Sequence, residues 1–346
     1  MYSTTSHKWS LASQDMAFKR KLSLYAVLVI LVFLWFVGVK NRGGITYFSS
    51  EEDRYKNMRD ALDAYEMELK FTREDMKRTL KLFKSSCDKW NPDLPVIYAI
   101  TPTYERPAQR AELTRLSHTF MHVTNFHWII IEDATKKSDV VTDILVQSKM
   151  NYTHLCALTP PDYKRKPKEP NWTKPRGVLQ RNAGLQWLRD NRTPEDRGVV
   201  YFADDDNTYS IHIFNEMRWT KKVSIWPVGL VGGLLVEKPI VNSSGKVSGF
   251  NSAWGMDRPF PIDMAGFAIS LPHLLSHPDV KFSFKVKMGH QESVFLEKLT
   301  KREDLEPLAD NCTKIYVWHT RTEEPNLKFE QKLKSQGKSS LDNMKV

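Results

Sequence analysis

The stretch Gly198–Ser210, GVVYFADDDNTYS, decides how the chain is read. Val199, Val200, Tyr201, Phe202 and Ala203 form an almost wholly apolar run, the pattern of a strand buried on both faces. It stops at three carboxylates, Asp204, Asp205 and Asp206, followed by Asn207 and Thr208. In open α/β sheets, ligands collect just beyond the carboxyl ends of strands. Hard oxygen donors in such a place suit Mg2+ or Mn2+ held against a substrate diphosphate. The plainer reading is an acidic turn in which Asp and Asn serve as turn formers. Three carboxylates capping a buried run repel one another without a cation, which favours the metal reading.

Upstream of this run, strands alternate with helices. Val96–Ile100, His127–Ile131 and Tyr152–Leu158 read as strands; Pro107–Val123, Asp139–Met150 and Gly177–Asp190 read as helices. Successive βα units predict a mostly parallel sheet with helices on both sides. Polar chemistry sits at the strand ends. Tyr104, after the first strand, has a ring that could stack on a base, and Asp133, after the second, could accept from a uracil N3–H. Turns attract such residues in any case. Neither GxGxxG nor GxxxxGK[ST] occurs, so Rossmann dinucleotide and P-loop readings lack their phosphate cradle. Arg176 and Arg181, near the start of a helix, could grip a phosphate or a sugar carboxylate; solvated helix charges are the ordinary alternative.

Beyond the triplet, periodicity weakens and aromatic residues multiply: Trp219, Trp226, Phe250, Trp254, Phe260 and Phe267. Most should be core. Trp254 differs, because its loop, residues 251–258, is polar and offers a face for stacking a sugar. Glu292 lies in the first turn of a helix opened by Gly289-His290-Gln291, where a carboxylate ordinarily serves the helix dipole. Ile315–Trp318 reads as a strand delivering His319-Thr320-Arg321, a combination suited to a diphosphate or to the surface.

The chain has 346 residues and a formal net charge of +10, which fits an anionic membrane face or acidic polysaccharide. No nucleic-acid motif accompanies the charge, so nucleic acid is not an expected partner. Leu22 to Val39 is uncharged and apolar over 18 residues, with Lys19, Arg20 and Lys21 immediately before it. That is the lower limit for a spanning helix, and the basic flank favours a cytoplasmic N-terminus. A cleaved signal peptide is the competitor, but VGVKNRGG is a poor cleavage site. Sequons at Asn151, Asn171, Asn191, Asn242 and Asn311 agree with a lumenal body. Residues 51–90 read as a charged helix, with Tyr55, Met58, Leu62, Tyr65, Leu69, Thr72, Met76, Thr79 and Phe83 at alternating spacings of three and four. Such a seam fits either a dimeric stem or a lone amphipathic helix. Cys87, past the seam, could bridge two chains or remain a thiol.

Taken together, TPTYERPAQRAELTRLSHT, HWIIIEDA, PRGVLQRN, GVVYFADDDNTYS, SIWPVGLVGG, RPFPIDMAGFA, HQES and NCTKIYVWHTRTE resemble the β-1,3-glucuronosyltransferases of the animal Golgi, in order and with matching spacing over about Pro95–Pro325. The resemblance implies an α/β fold of the GT-A type: a Rossmann-like donor half and a mixed-sheet acceptor half, preceded by a transmembrane helix and a helical stem. The chain then divides into a cytoplasmic tail (1–21), a signal anchor (22–39), a stem (40–93), a UDP-sugar donor subdomain (94–206), an acceptor subdomain (207–325) and a C-terminal tail (326–346). It implies Mn2+, UDP-glucuronate as donor, inversion at the anomeric carbon, a homodimer and a single-pass type II Golgi membrane protein with a lumenal body. The acceptor implied is a terminal galactose of the galactosyl-galactosyl-xylosyl linker on a proteoglycan core, with N-acetyllactosamine as the alternative and a non-catalytic lectin or scaffold as a third reading. It places donor contacts on Pro102, Thr103, Tyr104, Asp133, Arg176, Arg181, Asp204, Asp205, Asp206, His319, Thr320 and Arg321, with Asp206 the metal ligand. Glu292 matches the catalytic base, and Glu237, Trp254, Arg258 and Asp263 face the acceptor.

Overall fold

The computed structural model describes residues 51–87, 90–165, 169, 173–255, 257–342 and 344. The expected tail at 1–21, the anchor at 22–39, the sequon at Asn171 and the side chain of Cys87 lie outside the described residues. Among the described residues no helix is long and apolar enough to cross a membrane. The expected stem helix is present as α1, Glu51–Cys87. Tyr55, Met58, Leu62, Tyr65, Leu69 and Met76 of its seam are all exposed, so α1 carries an open apolar stripe.

The body follows the expected βα order through the acidic turn: β1 Val96–Thr103, α2 Gln109–Phe120, β2 Phe126–Glu132, α3 Asp139–Ser148, β3 Asn151–Cys156, α4 Val178–Asn191 and β4 Gly198–Phe202. Local chemistry sets the helix ends. The Ser138 hydroxyl accepts from the Val141 N–H to start α3, and Lys149, at φ 55°, stops it. Then come β5 Thr208–Tyr209, α5 Ile211–Met217, β6 Val223–Ile225, β7 Val228–Gly229, β8 Val236–Val241, β9 Val247–Asn251, β10 Phe267–Ser270, α6 Leu271–Leu275, α7 Gln291–Leu296, β11 Glu306–Pro307, β12 Val317–Trp318 and α8 Lys328–Ser335.

The main sheet has the order β11-β6-β10-β4-β1-β2-β3, and a second sheet has the order β5-β12-β7-β8-β9. β4, β1, β2 and β3 are parallel, whereas β10 runs antiparallel to both β4 and β6. Because β6 opposes β10, which opposes β4, β6 runs with β4, and β11 is parallel to β6. Six of the seven strands point the same way, so the sheet is mostly parallel as expected, with β10 reversed. The reversed strand escaped the sequence pattern because β10 spans only four residues, too few for a clear period of two.

β4 is the buried central strand that its apolar run predicted. Val200 and Phe202 enter one core with Ile100, Ile131 and α4's Leu185 and Leu188. Val199, Tyr201 and Ala203 enter the other with α2's Leu113, Leu116 and Phe120. Each large apolar side chain so buried contributes about 1.5–3 kcal/mol. Burial on both faces leaves β4 no freedom to shift register, because a one-residue slip exchanges its two faces. The acidic turn is thus delivered to a fixed place at the rim of the sheet.

Candidate active site

The three consecutive aspartates do not converge on one point. Asp205 turns inward: its Oδ2 accepts from the Thr103 hydroxyl at 2.7 Å, and its Oδ1 pairs with Arg106 at 2.7 Å. Burial raises this carboxyl, and with Arg106 and Thr103 opposing the rise it stands at about 6. Arg106 also pairs with buried Glu112, donates to the Tyr104 carbonyl at 3.2 Å and lies 4.6 Å from the Tyr104 ring centroid. Asp204 goes to Arg181, whose Nη2 donates to its Oδ1 at 2.6 Å. Gly177 makes this possible. It sits at φ +71°, and a Cβ there would fall 2.6 Å from Arg181 Nη1. The expectation that the triplet repels itself unless a cation binds is therefore corrected for two of its members, which arginines neutralise.

Asp206 is the member left for a cation. Its backbone carbonyl is fixed by Arg115 Nη2 at 2.8 Å and the Thr320 hydroxyl at 2.6 Å. Burial, then the Asp204 charge, raises its carboxyl above the ordinary value, and no hydrogen bond to that carboxylate is found among the described residues. The next side chain, Asn207, is 1% exposed, and neither of its amide atoms has a hydrogen-bond partner among the described residues. Among the described residues no group of three or more His, Cys, Asp or Glu side chains is placed to enclose a metal. One free carboxylate fits Mg2+ or Mn2+, which keep waters and share a substrate's phosphates rather than sitting in a protein cage.

The residues expected at a nucleotide base are partly prearranged. Tyr104 is 45% exposed and carries its ring beside Arg106. Asp133 is fixed by its own N–H on the Thr103 carbonyl at 2.8 Å, and its Oδ1 accepts from the Thr159 N–H at 2.7 Å. Pro102 lies half-buried in β1, and Arg176 is exposed just before α4. The Thr103 hydroxyl is buried and donates to Asp205, while its carbonyl accepts from the Asp133 N–H.

On the far side of the cleft, β12 runs beside β5 and β7 and delivers His319-Thr320-Arg321. His319 Nδ1 lies 3.3 Å from Asp263 Oδ2, close enough to pair though not aligned as a full hydrogen bond. The Asp263 contact raises His319. Burial would raise Asp263, yet His319 and the Ala265 N–H hold it below the ordinary value. Arg321 is exposed, with Nε 3.3 Å from His319 Nε2. Asp263, expected to face an acceptor, is thus also the partner of His319.

Glu292 opens α7 on a partly covered surface. Burial pushes its carboxyl up to about 7, with Asp263 adding to the rise and Arg181 and Arg258 opposing it. No salt bridge to Glu292 is found among the described residues. A carboxylate with this affinity for protons, reachable by a hydroxyl, is suited to general base catalysis. Trp254 is 47% exposed, free to stack. Two further acceptor candidates turn inward. Glu237 is buried and accepts from the Ser252 hydroxyl at 2.7 Å, and Arg258 is buried against backbone carbonyls.

Sequence reasoning passed over Arg106, Glu112, Arg115 and Ser252. Arg106 lay inside a quoted motif, but nothing in the string separates a guanidinium that turns back on an aspartate from a solvated one.

Comparison with known proteins agrees over the same region. The sequence profile of glycosyltransferase family 43 matches residues 116–323. Galactosylgalactosylxylosylprotein 3-beta-glucuronosyltransferase sqv-8 of Caenorhabditis elegans is 50% identical over 74% of this chain and 72% of its own. Galactosylgalactosylxylosylprotein 3-beta-glucuronosyltransferase 3 of Mus musculus is 51% identical over 71% of this chain and 76% of its own. Galactosylgalactosylxylosylprotein 3-beta-glucuronosyltransferase 2 of Canis lupus familiaris is 52% identical over 74% of both.

Proposed function

The chain belongs to glycosyltransferase family 43, and from that premise we propose that it transfers glucuronate from UDP-glucuronate to the 3-hydroxyl of a terminal β-galactose. The acceptor we assign is the galactosyl-galactosyl-xylosyl linker of proteoglycans. The shared name of relatives that are all 50–52% identical supports it. The observation that carries the catalytic reading is the division of labour among the carboxylates. Asp204 and Asp205 are arginine-paired, the Asp206 carboxylate has no hydrogen-bond partner among the described residues, and burial lifts the Glu292 carboxyl to about 7.

In this reading Glu292 takes the proton of the acceptor hydroxyl as its oxygen attacks the anomeric carbon. The bond to the diphosphate oxygen breaks on the opposite face, so UDP leaves with the electron pair and the configuration inverts. Asp206 is the residue that would hold Mn2+, and the ion when bound would offset charge developing on the leaving diphosphate. His319, kept cationic more readily by Asp263, and exposed Arg321 supply protein charge on the same side. Arg321 is the better candidate for the glucuronate carboxylate, because Arg181 is committed to Asp204. Tyr104 and Asp133 take the uracil ring and its N3–H. The GT-A assignment, the Golgi anchor at residues 22–39, the lumenal body and the dimer belong to the same proposal.

The test is direct. The purified full-length chain is given UDP-glucuronate and Mn2+ with galactose-β-1,3-galactose or N-acetyllactosamine. Faster transfer to the digalactoside supports the assignment, faster transfer to lactosamine moves the acceptor, and bound donor without transfer to either removes the enzyme reading.

A further inference from the structure

We propose that Arg258 is a positioning residue that latches the segment bearing Trp254 to the loop leading into Glu292. One guanidinium then sets the acceptor's stacking surface relative to the carboxylate that takes its proton. The roles of Trp254 and Glu292 rest on the transferase reading above, whereas the latch rests on geometry alone.

Each of the three Arg258 nitrogens donates to a backbone carbonyl. Nε reaches Gly255 at 3.1 Å, Nη2 reaches Trp254 at 2.9 Å and Nη1 crosses to Gly289 at 2.8 Å. The guanidinium carbon lies 4.8 Å from the Trp254 ring centroid, within cation–π range. Two glycines in the left-handed region leave room for this packing. A Cβ on Gly255 (φ +59°) would fall 2.7 Å from Arg258 Nε, and one on Gly289 (φ +70°) would fall 2.1 Å from the Trp254 ring. The indole therefore rests on the Gly289 backbone, three residues before Glu292.

Two serines extend the stitching. The Ser252 hydroxyl reaches Glu237 at 2.7 Å and the Trp254 carbonyl at 3.2 Å. Ser293, adjacent to Glu292 and wholly buried, donates to the Phe260 carbonyl at 2.8 Å and accepts from the Phe260 N–H at 3.2 Å. Segment 252–260 and the start of α7 are thus bonded on both sides of the base. Three of the five N–H groups of Arg258 are spent on this framework, which suits a latch better than a sugar contact.

The test uses the full chain and compares Arg258→Met, Arg258→Lys, Gly289→Ala and Trp254→Ala. Loss of charged hydrogen bonds should raise the digalactoside KM roughly tenfold or more in Arg258→Met. UDP affinity should be unchanged, and Arg258→Lys should recover part of the loss. Gly289→Ala, which displaces the indole while leaving Arg258 intact, should reproduce the KM rise. In the Trp254→Ala background, Arg258→Met should add little, because the two act as one unit. Full additivity of the two changes, or an unaltered KM in Gly289→Ala, would overturn the latch. Should Arg258→Met not fold, Gly289→Ala against Trp254→Ala carries the same test. The near-UV circular dichroism of Trp254, identified by its loss in Trp254→Ala, should change in both Arg258→Met and Gly289→Ala. That signal does not depend on transfer, so it separates failure of the latch from failure of the transferase reading.

Discussion

Two carboxylate regions of this molecule are built by opposite means. In the acidic turn, Asp204 and Asp205 receive arginines at 2.6 and 2.7 Å, and Arg106 holds Glu112 as well. At the start of α7, Glu292 is half-buried and given no salt-bridge partner among the described residues, and its carboxyl rises to about 7. Guanidinium partners fix the first group in place, which suits a platform for a diphosphate. Their absence leaves the second with an appetite for protons. The chemistry of the side chain is the same, and the neighbours decide the role.

The comparison breaks most visibly at Glu292 itself. Glu292→Gln should lower kcat by about 10^2–10^4, the usual worth of a positioned base, while UDP binding measured by calorimetry stays unchanged. An equal loss of both would make Glu292 structural. Asp206→Asn should do the converse. Mn2+-dependent tightening of UDP should vanish in a calorimetric titration, while metal-free UDP binding persists.

The paired side breaks through stability. Arg106→Leu strands buried Asp205 and Glu112 without their cation, which should cost about 3–5 kcal/mol in chemical denaturation. Adding Asp205→Asn to that variant should return part of the loss. A neutral effect of Arg106→Leu would mean that the pairing is incidental.

A finer contrast lies in pH. Glu292 accepts a proton only when ionised, so kcat should climb as pH rises through about 7 and level off above it. The Asp263 charge contributes to that elevation. Asp263→Asn should therefore move the rise to lower pH, read from the kcat profile. The smallest effect is expected away from both regions. A Cβ on Gly184 would meet Ile100 at 2.8 Å, an overpacking cost of about 1–3 kcal/mol offset by about 1 kcal/mol of helix propensity. Gly184→Ala should lower Tm modestly and leave the pH midpoint in place.

Much of this was legible in the string. The apolar run of β4 announced a doubly buried strand, and the βα alternation gave the donor half, because both signals persist over many residues. The reversed strand β10 and its neighbour β6 were not legible, since both are shorter than the pattern that would reveal them. The same limit governed the site. Asp204, Asp205 and Asp206 are indistinguishable in sequence and acquire different roles only through Arg181, Arg106 and Thr103, which arrive from other elements. The bonds of Arg258 were not legible because its three carbonyl partners are backbone atoms, and backbone partners leave no mark on residue identity.

The most direct measurement is a titration of carboxyl 13C resonances in chain labelled at glutamate and aspartate, with Glu292 assigned by its loss in Glu292→Gln. The contrast between paired and unpaired carboxylates predicts a Glu292 midpoint near 7, above an Asp205 midpoint of about 6. A Glu292 midpoint in the ordinary range of about 4–5 would contradict it.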